Sequence, residues 1–223
     1  MKKQFDPSNI NTVLFDFDGT LLDSNGLIAD TWRHTVRNFT GKEISDDEIR
    51  DTIGEMLIDS MRRMMPEVNP EEAVEFYRVY QRGIFLDRVR LFEGTEKVLR
   101  ALKAAGFKTA IVTNRLKSST HNALEHFEIT ELFDFILTAS EMEKFKPDPE
   151  PIYKALEQLN SKPEEAIFVG DSNHDIEAGN AAGVFTILVN WSFGLPPGEL
   201  RENASEPDTT ISELEEILVL LGV

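Results

Sequence analysis

Cysteine is absent from the 223-residue sequence. Disulfides, zinc–thiolate sites and cysteine nucleophiles are therefore excluded. Basic residues are few: 23 Lys and Arg stand against 40 Asp and Glu, a formal net charge of −17. Nucleic acids and anionic membranes both require a basic surface, so neither is an expected partner. The plain consequence of the acidity is solubility. No apolar run approaches the length of a membrane span. The segment Met1 to Ile10 is polar, includes Asp6 and Pro7, and carries no apolar signal-peptide core. These absences predict a cytoplasmic enzyme. His34, His121, His126 and His174 are not spaced as a metal-ligand set and read as surface or locally hydrogen-bonded groups.

What is present suits a folded α/β protein. The length fits one ordinary domain plus a small inserted one. Short apolar runs at Thr12–Phe17, Lys108–Thr113, Asp134–Thr138, Ala166–Gly170 and Val184–Asn190 lack clean alternation. Strands covered on both faces of a parallel sheet have that pattern. Helical patterns lie between the later runs. Thr95–Ala105 stops at Gly106, a good residue just past a helix end. Asp148 reads as an N-cap with Pro149 at the first helical position of a helix running to Leu159. Asn173–Ala182 ends at Gly183, and Ser212 with Glu215 forms a capping-box pattern ahead of Leu214, Ile217, Leu218 and Leu221. Strand–helix alternation predicts a doubly wound α/β core.

From Leu22 to Arg90 only helical periods appear. Asn25–Phe39 carries Leu27, Ile28, Trp32, Val36 and Phe39 on one side, Ser45 with Glu48 is a capping box, and Asn69-Pro70 opens another helix. The block reads as an inserted all-helical cap. The expected division is a core of residues 1–20 and 91–223 and a cap of residues 21–90. Met56, Met61, Met64 and Met65 fall in the cap, where core packing is the favoured reading and an apolar lid the sharper one. Glu71, Glu72 and Glu75 read as a solvated helix start.

Open α/β sheets bind ligands at the carboxyl ends of their strands. Here those ends carry reactive groups: Asp16 and Asp18 after the first strand, Thr113-Asn114 after the second, and Asp171 after the fourth, with Asp175 one turn beyond. Pooled carboxylates repel one another and are costly to desolvate. A hard divalent cation compensates, and with oxygen ligands and no Cys/His cluster the expected ion is Mg²⁺. Mg²⁺ shared with carboxylates in turn suggests a phosphate substrate. Lys146 supplies a second positive charge for phosphoryl transfer, and Thr113 and Asn114 neutral donors. Asp18, two residues past Asp16, can protonate the leaving oxygen and deprotonate the attacking water. Each aspartate alone has a bland reading as a cap or solvated residue. Asp23 reads as an N-cap or hinge, Asp148 as an N-cap. Arg115 is a candidate substrate contact; Arg62 and Arg63 could meet a substrate anion or be solvated.

These residues resemble the motifs of the haloacid dehalogenase-like hydrolase superfamily, in its phosphoglycolate phosphatase-like branch, over nearly the whole chain. Asp16-Phe17-Asp18-Gly19-Thr20-Leu21-Leu22-Asp23-Ser24 is similar to the first motif and Val112-Thr113-Asn114 to the second. Lys146-Pro147-Asp148-Pro149 resembles the third, and Gly170-Asp171-Ser172-Asn173-His174-Asp175 the fourth. Val189-Asn190-Trp191-Ser192-Phe193-Gly194 and Pro207-Asp208 before Glu213-Leu214 resemble the branch's ending. The resemblance implies a Rossmann-like doubly wound parallel sheet with a helical cap. It implies Asp16 as nucleophile and Mg²⁺ ligand, and Asp18 as acid/base offering its backbone carbonyl to the metal. Asp171 becomes a further ligand and Asp175 a support of the metal shell. Thr113 and Asn114 hold the phosphoryl group, and Lys146 pairs with Asp16 and phosphate. The expected partner is a small phosphorylated metabolite, with phosphoglycolate as the family-level candidate, and the protein a monomer or homodimer. Ile10-Asn11-Thr12-Val13 and Asp148-Pro149-Glu150-Pro151-Ile152 also resemble a pyrophosphatase of the branch. A β-phosphoglucomutase-like mutase is a further alternative; a non-enzymatic phospho-acceptor is disfavoured by Asp18.

Overall fold

The computed structural model describes residues 5–191 and 205–223, so Ser192, Phe193 and Gly194 of the C-terminal likeness lie outside the described residues. Strand β1 (Thr12–Phe15) is followed by a two-residue strand β2 (Leu22–Asp23). Four helices come next: α1 (Asn25–Thr40), α2 (Asp46–Arg50), α3 (Leu57–Met64) and α4 (Pro70–Arg88). Strand β3 (Arg90–Leu91) pairs antiparallel with β2, closing the base of this helical block. The rest alternates: α5 (Thr95–Ala104), β4 (Lys108–Thr113), α6 (Lys117–His126), β5 (Phe135–Thr138), α7 (Glu150–Gln158) and β6 (Ala166–Gly170). It ends with α8 (Asn173–Ala182), β7 (Phe185–Val189), β8 (Thr209–Ile211) and α9 (Glu216–Leu221).

The main sheet has six strands in the order β5-β4-β1-β6-β7-β8. Every pairing in it is parallel. This is the doubly wound Rossmann-like α/β fold expected from the alternation. β1 is central, and its residues divide between the two faces. Val13 and Phe15 pack with Leu99, Leu124 and Ile217 from α5, α6 and α9. Leu14 packs with Ile152, Leu156 and Ala178 from α7 and α8. Burial on both faces is why the strands read as continuous apolar runs. The chain reverses its winding at β1, so the crevice beyond that strand's carboxyl end is the expected site.

The α1–α4 block has a separate apolar cluster in which Trp32, Ile49, Met61, Met65 and Tyr77 are buried. Trp32 meets Tyr77 edge-on, ring centroids 5.4 Å apart. Met61 and Met65 thus pack between helices, as the favoured reading had it. Ser45 and Glu48 make the full reciprocal capping box, and the Asn69 side chain accepts from Glu72 N.

Three local readings need correction. The stretch from Leu22 to Arg90 is not purely helical at its ends, because β2 and β3 pair there; two-residue strands carry no periodicity to read. The Ser212–Glu215 capping box does not form. Instead the Glu216 carboxylate accepts from Ser212 N at 2.6 Å and Glu213 N at 3.0 Å, while the Glu215 side chain turns to Lys97. Asp148 is not the N-cap: the regular helix begins at Glu150 with Pro149 in the cap position, and the Asp148 carboxylate accepts from Glu150 N at 2.9 Å from one residue further out.

Candidate active site

Asp16 continues β1 by one residue, its N donating to Val169 O at 2.8 Å, and is buried at the centre of the sheet's carboxyl edge. Asp171 follows β6, the neighbouring strand, and Asp175 lies in the first turn of α8. Ser172 caps that helix, and the Asp175 Oδ2 accepts from Ser172 N at 3.0 Å and Ser172 Oγ at 2.6 Å. Asp175 thereby folds back against Gly170, where an added Cβ would sit 2.3 Å from the Asp175 Cβ. Only a glycine fits there. The result is three buried carboxylates, Asp16, Asp171 and Asp175, with one oxygen each inside a 4.8 Å span.

Lys146 is the counter-charge. Its Nζ donates to Asp16 Oδ1 at 2.6 Å, Asp175 Oδ1 at 2.6 Å and Val112 O at 2.9 Å. Burial pushes the Asp16 carboxyl up to about 7 against the opposing pull of Lys146, with Asp175 and Asp18 adding repulsion. Burial acts to lower the Lys146 pKa, but Asp16 and Asp175 outweigh it and hold the ammonium above its ordinary range. One ammonium cannot neutralise three carboxylates. The donor set is hard oxygen, compact and under-neutralised, so it fits a divalent cation of the Mg²⁺ kind.

Asp18 stands apart from this cluster. Its carboxylate accepts from Ser24 Oγ at 2.6 Å and from Arg115 Nη1 at 2.8 Å and 3.1 Å. Its side chain therefore faces Arg115 and not the acidic triad. Arg115 in turn lies over the Phe85 ring of α4, 4.8 Å from the centroid. Thr113 Oγ1 accepts from Arg115 N at 3.2 Å. Asn114 ties three parts together: Nδ2 donates to Gly54 O at 3.1 Å and Lys146 O at 3.3 Å, and Oδ1 accepts from Lys146 N at 3.3 Å. Asp16, Asp18, Thr113, Asn114, Arg115, Lys146, Asp171 and Asp175 all line one cleft, a cavity of about 220 Å³ between the sheet edge and the helical block, whereas Arg62 and Arg63 do not.

Other lining residues carried no clear sequence signal. Gly54, at φ +85°, lies so close to the core that an added Cβ would meet His174 Nδ1 at 2.6 Å. Burial lowers the His174 pKa, favouring the neutral ring. Glu55 lines the cleft, but its carboxylate is engaged by Ser60 Oγ at 2.7 Å and Arg63 Nη2 at 2.8 Å. Arg62 points elsewhere, paired with Asp59 at 2.8 Å on the surface. Tyr77, Arg78 and Arg82 reach the cleft from α4, and a helical stripe alone does not reveal which face meets the core. Asp23 accepts from Asn25 N at 3.2 Å at the start of α1, a local structural role. Among the described residues no helix is long and apolar enough to cross a membrane.

Residues 13–189 match the family described as haloacid dehalogenase-like hydrolase. The chain is 36% identical over 214 residues to a protein named Pyrophosphatase PpaX from Halalkalibacterium halodurans, covering 96% of this chain and 98% of that one. It is 35% identical over 213 residues to the Pyrophosphatase PpaX of Bacillus cereus strain B4264, covering 96% and 97%. Among solved structures, a haloacid dehalogenase-like family hydrolase from Streptococcus pneumoniae superposes with a TM-score of 0.81 at 25% identity, covering 95% of this chain and 98% of that one.

Proposed function

The chain belongs to the haloacid dehalogenase-like hydrolase family, and on that premise we propose that it hydrolyses inorganic pyrophosphate through a transient phosphoryl group on Asp16. The observation that carries the reading is the setting of Asp16: Lys146 holds Oδ1, while Oδ2 accepts no hydrogen bond among the described residues. Oδ2 attacks phosphorus, a P–O bond forms to Asp16, and the bond to the leaving oxygen breaks. Asp18 gives that oxygen a proton, then takes one from the water that releases phosphate and restores the carboxylate. Asp16, Asp171 and Asp175 would hold Mg²⁺, which when bound neutralises charge on the transferring phosphoryl oxygens. The Thr113 hydroxyl, which accepts from Arg115 N and keeps its own proton, would donate to that group, while Asn114 holds the Gly54 and Lys146 backbones beside it. The helical block acts as the cap that excludes water from the intermediate until hydrolysis.

The choice of pyrophosphate rests on the name borne by the relatives, which span almost the full length of this chain. A second reading, a small phosphomonoester such as phosphoglycolate, is favoured by the apolar side of the cleft, where Ile28, Trp32, Leu57 and Leu116 would suit an organic leaving group. A Mg²⁺-dependent phosphate-release screen over pyrophosphate, phosphoglycolate, sugar phosphates and nucleotides separates the two. Pyrophosphate should give the largest kcat/KM. A clear preference for any organic ester would reject the first reading in favour of the second.

A further inference from the structure

The cleft has two electrical ends. One is the acidic triad; the other is a wall bearing Arg115 from the loop after β4 and Arg78 from α4. In a chain with 40 acidic residues against 23 basic ones, cations facing a cavity without full pairing require a reason. Arg115 has a side chain only 8% exposed, and it spends just Nη1 on Asp18. Its Nε and Nη2 are buried with no hydrogen-bond partner. Leaving two guanidinium donors unmet costs free energy that a folded protein normally avoids. Arg78 has no ion-pair partner among the described residues. Arg82 shares the wall, but its guanidinium is taken by Glu75 at 3.1 Å. Tyr77, buried in α4, lines the same cleft, and its hydroxyl accepts from Gln81 Nε2 at 3.5 Å.

We propose that Arg115 and Arg78, with Tyr77, form a subsite for a second anionic group of the substrate, and that this group is the leaving phosphate. The proposal rests on the pyrophosphate reading for the identity of that group, and on the unmet donors for its location. A guanidinium fork matches phosphate oxygens geometrically and keeps its charge at any working pH. The wall is reachable from the acidic triad because Asp18, the proposed acid, already touches Arg115. A substrate with phosphate at both ends would bridge the two poles, its scissile oxygen lying near Asp18. The one acidic side chain on the cap side, Glu55, is already held by Ser60 and Arg63 and does not oppose this.

The test has a kinetic arm and a binding arm. In the first, kcat/KM is measured for pyrophosphate and for p-nitrophenyl phosphate, whose leaving group has no second phosphate. Arg78→Gln and Arg115→Lys should each lower the pyrophosphate-to-ester ratio by about tenfold, chiefly through KM, as loss of one charge-assisted contact predicts. In the second, calorimetry in Mg²⁺ compares methylenediphosphonate with methylphosphonate. The wild-type protein should bind the diphosphonate more tightly, and Arg78→Gln, at a partly exposed position, should remove that advantage. An unchanged ratio together with an unchanged binding preference in both variants overturns the subsite. If the wild-type protein prefers the diphosphonate through Arg78 yet does not turn over pyrophosphate, the subsite stands and the pyrophosphate reading falls.

Discussion

The acidic pole and the basic wall of the cleft are built by different means. At the acidic pole, each group is fixed by the residue next to it. Asp16 is one step past β1, Asp171 one step past β6, and Asp175 is locked by the cap at Ser172 and the gap left by Gly170. On the wall, Arg115 is set locally, two residues past β4, but the residues from α4 are not. Tyr77 and Arg78 face the core because α4 packs on α1 through Trp32, and Gly54 is brought by its loop from the helical block against His174 and Ser172. Under the proposed roles, the chemistry sits where the backbone itself enforces it, and the choice of substrate where packing between helices can change.

That contrast predicts a graded set of failures. Asp16→Asn removes the nucleophile and should lower kcat by about four orders of magnitude with the fold retained, as for other covalent catalysts; steady-state kinetics and circular dichroism check both halves. Lys146→Met leaves Asp16 and Asp175 buried without their cation and should cost about 3–5 kcal/mol of stability in denaturant unfolding. Addition of Mg²⁺ to the metal-free protein should raise stability by about 2.7 kcal/mol at a hundred times its Kd.

The Mg²⁺ effect has a pH direction. With its folded pKa raised to about 7, Asp16 contributes stability that is full below the ordinary carboxyl range and is lost as pH rises through 7. The metal needs the ionised form, so its stabilisation should grow as pH rises across the same window, and thermal melts at several pH values would read it. Gly54→Ala is the mildest break. It places a side chain at φ +85° against His174, a strain of about 1–3 kcal/mol. The loss should appear in kcat/KM more than in global stability, since the loop is local. An unfolding midpoint that falls as far as for Lys146→Met would erase the distinction between the core's own carboxylate cluster and the parts of the cleft brought in by the helical block.

The same contrast explains what could be read in advance. Buried parallel strands are short apolar runs, and an aspartate just past such a run is visible in one dimension; Asp16 and Asp171 emerged that way, whereas Lys146 emerged from the charge the carboxylates require and from the likeness of Lys146-Pro147-Asp148-Pro149 to a family motif. β8 did not, because Thr209-Thr210-Ile211 is three residues with one apolar side chain. Glu216 displaced Glu215 at the start of α9 because two carboxylates compete for the same free N–H groups. The Arg115–Asp18 pair joins residues 97 apart in sequence, and no local pattern announces it. Gly54 gave no signal because close approach to His174 exists only once the helical block has docked.

One measurement reaches the covalent role of Asp16 without assuming a leaving group. Borohydride added during turnover reduces an aspartyl phosphate to homoserine, which peptide mass spectrometry can locate. Homoserine should appear at Asp16, and only when both substrate and Mg²⁺ are present. Steady phosphate release with Asp16 unmodified throughout, or with the label on another carboxylate, would contradict it.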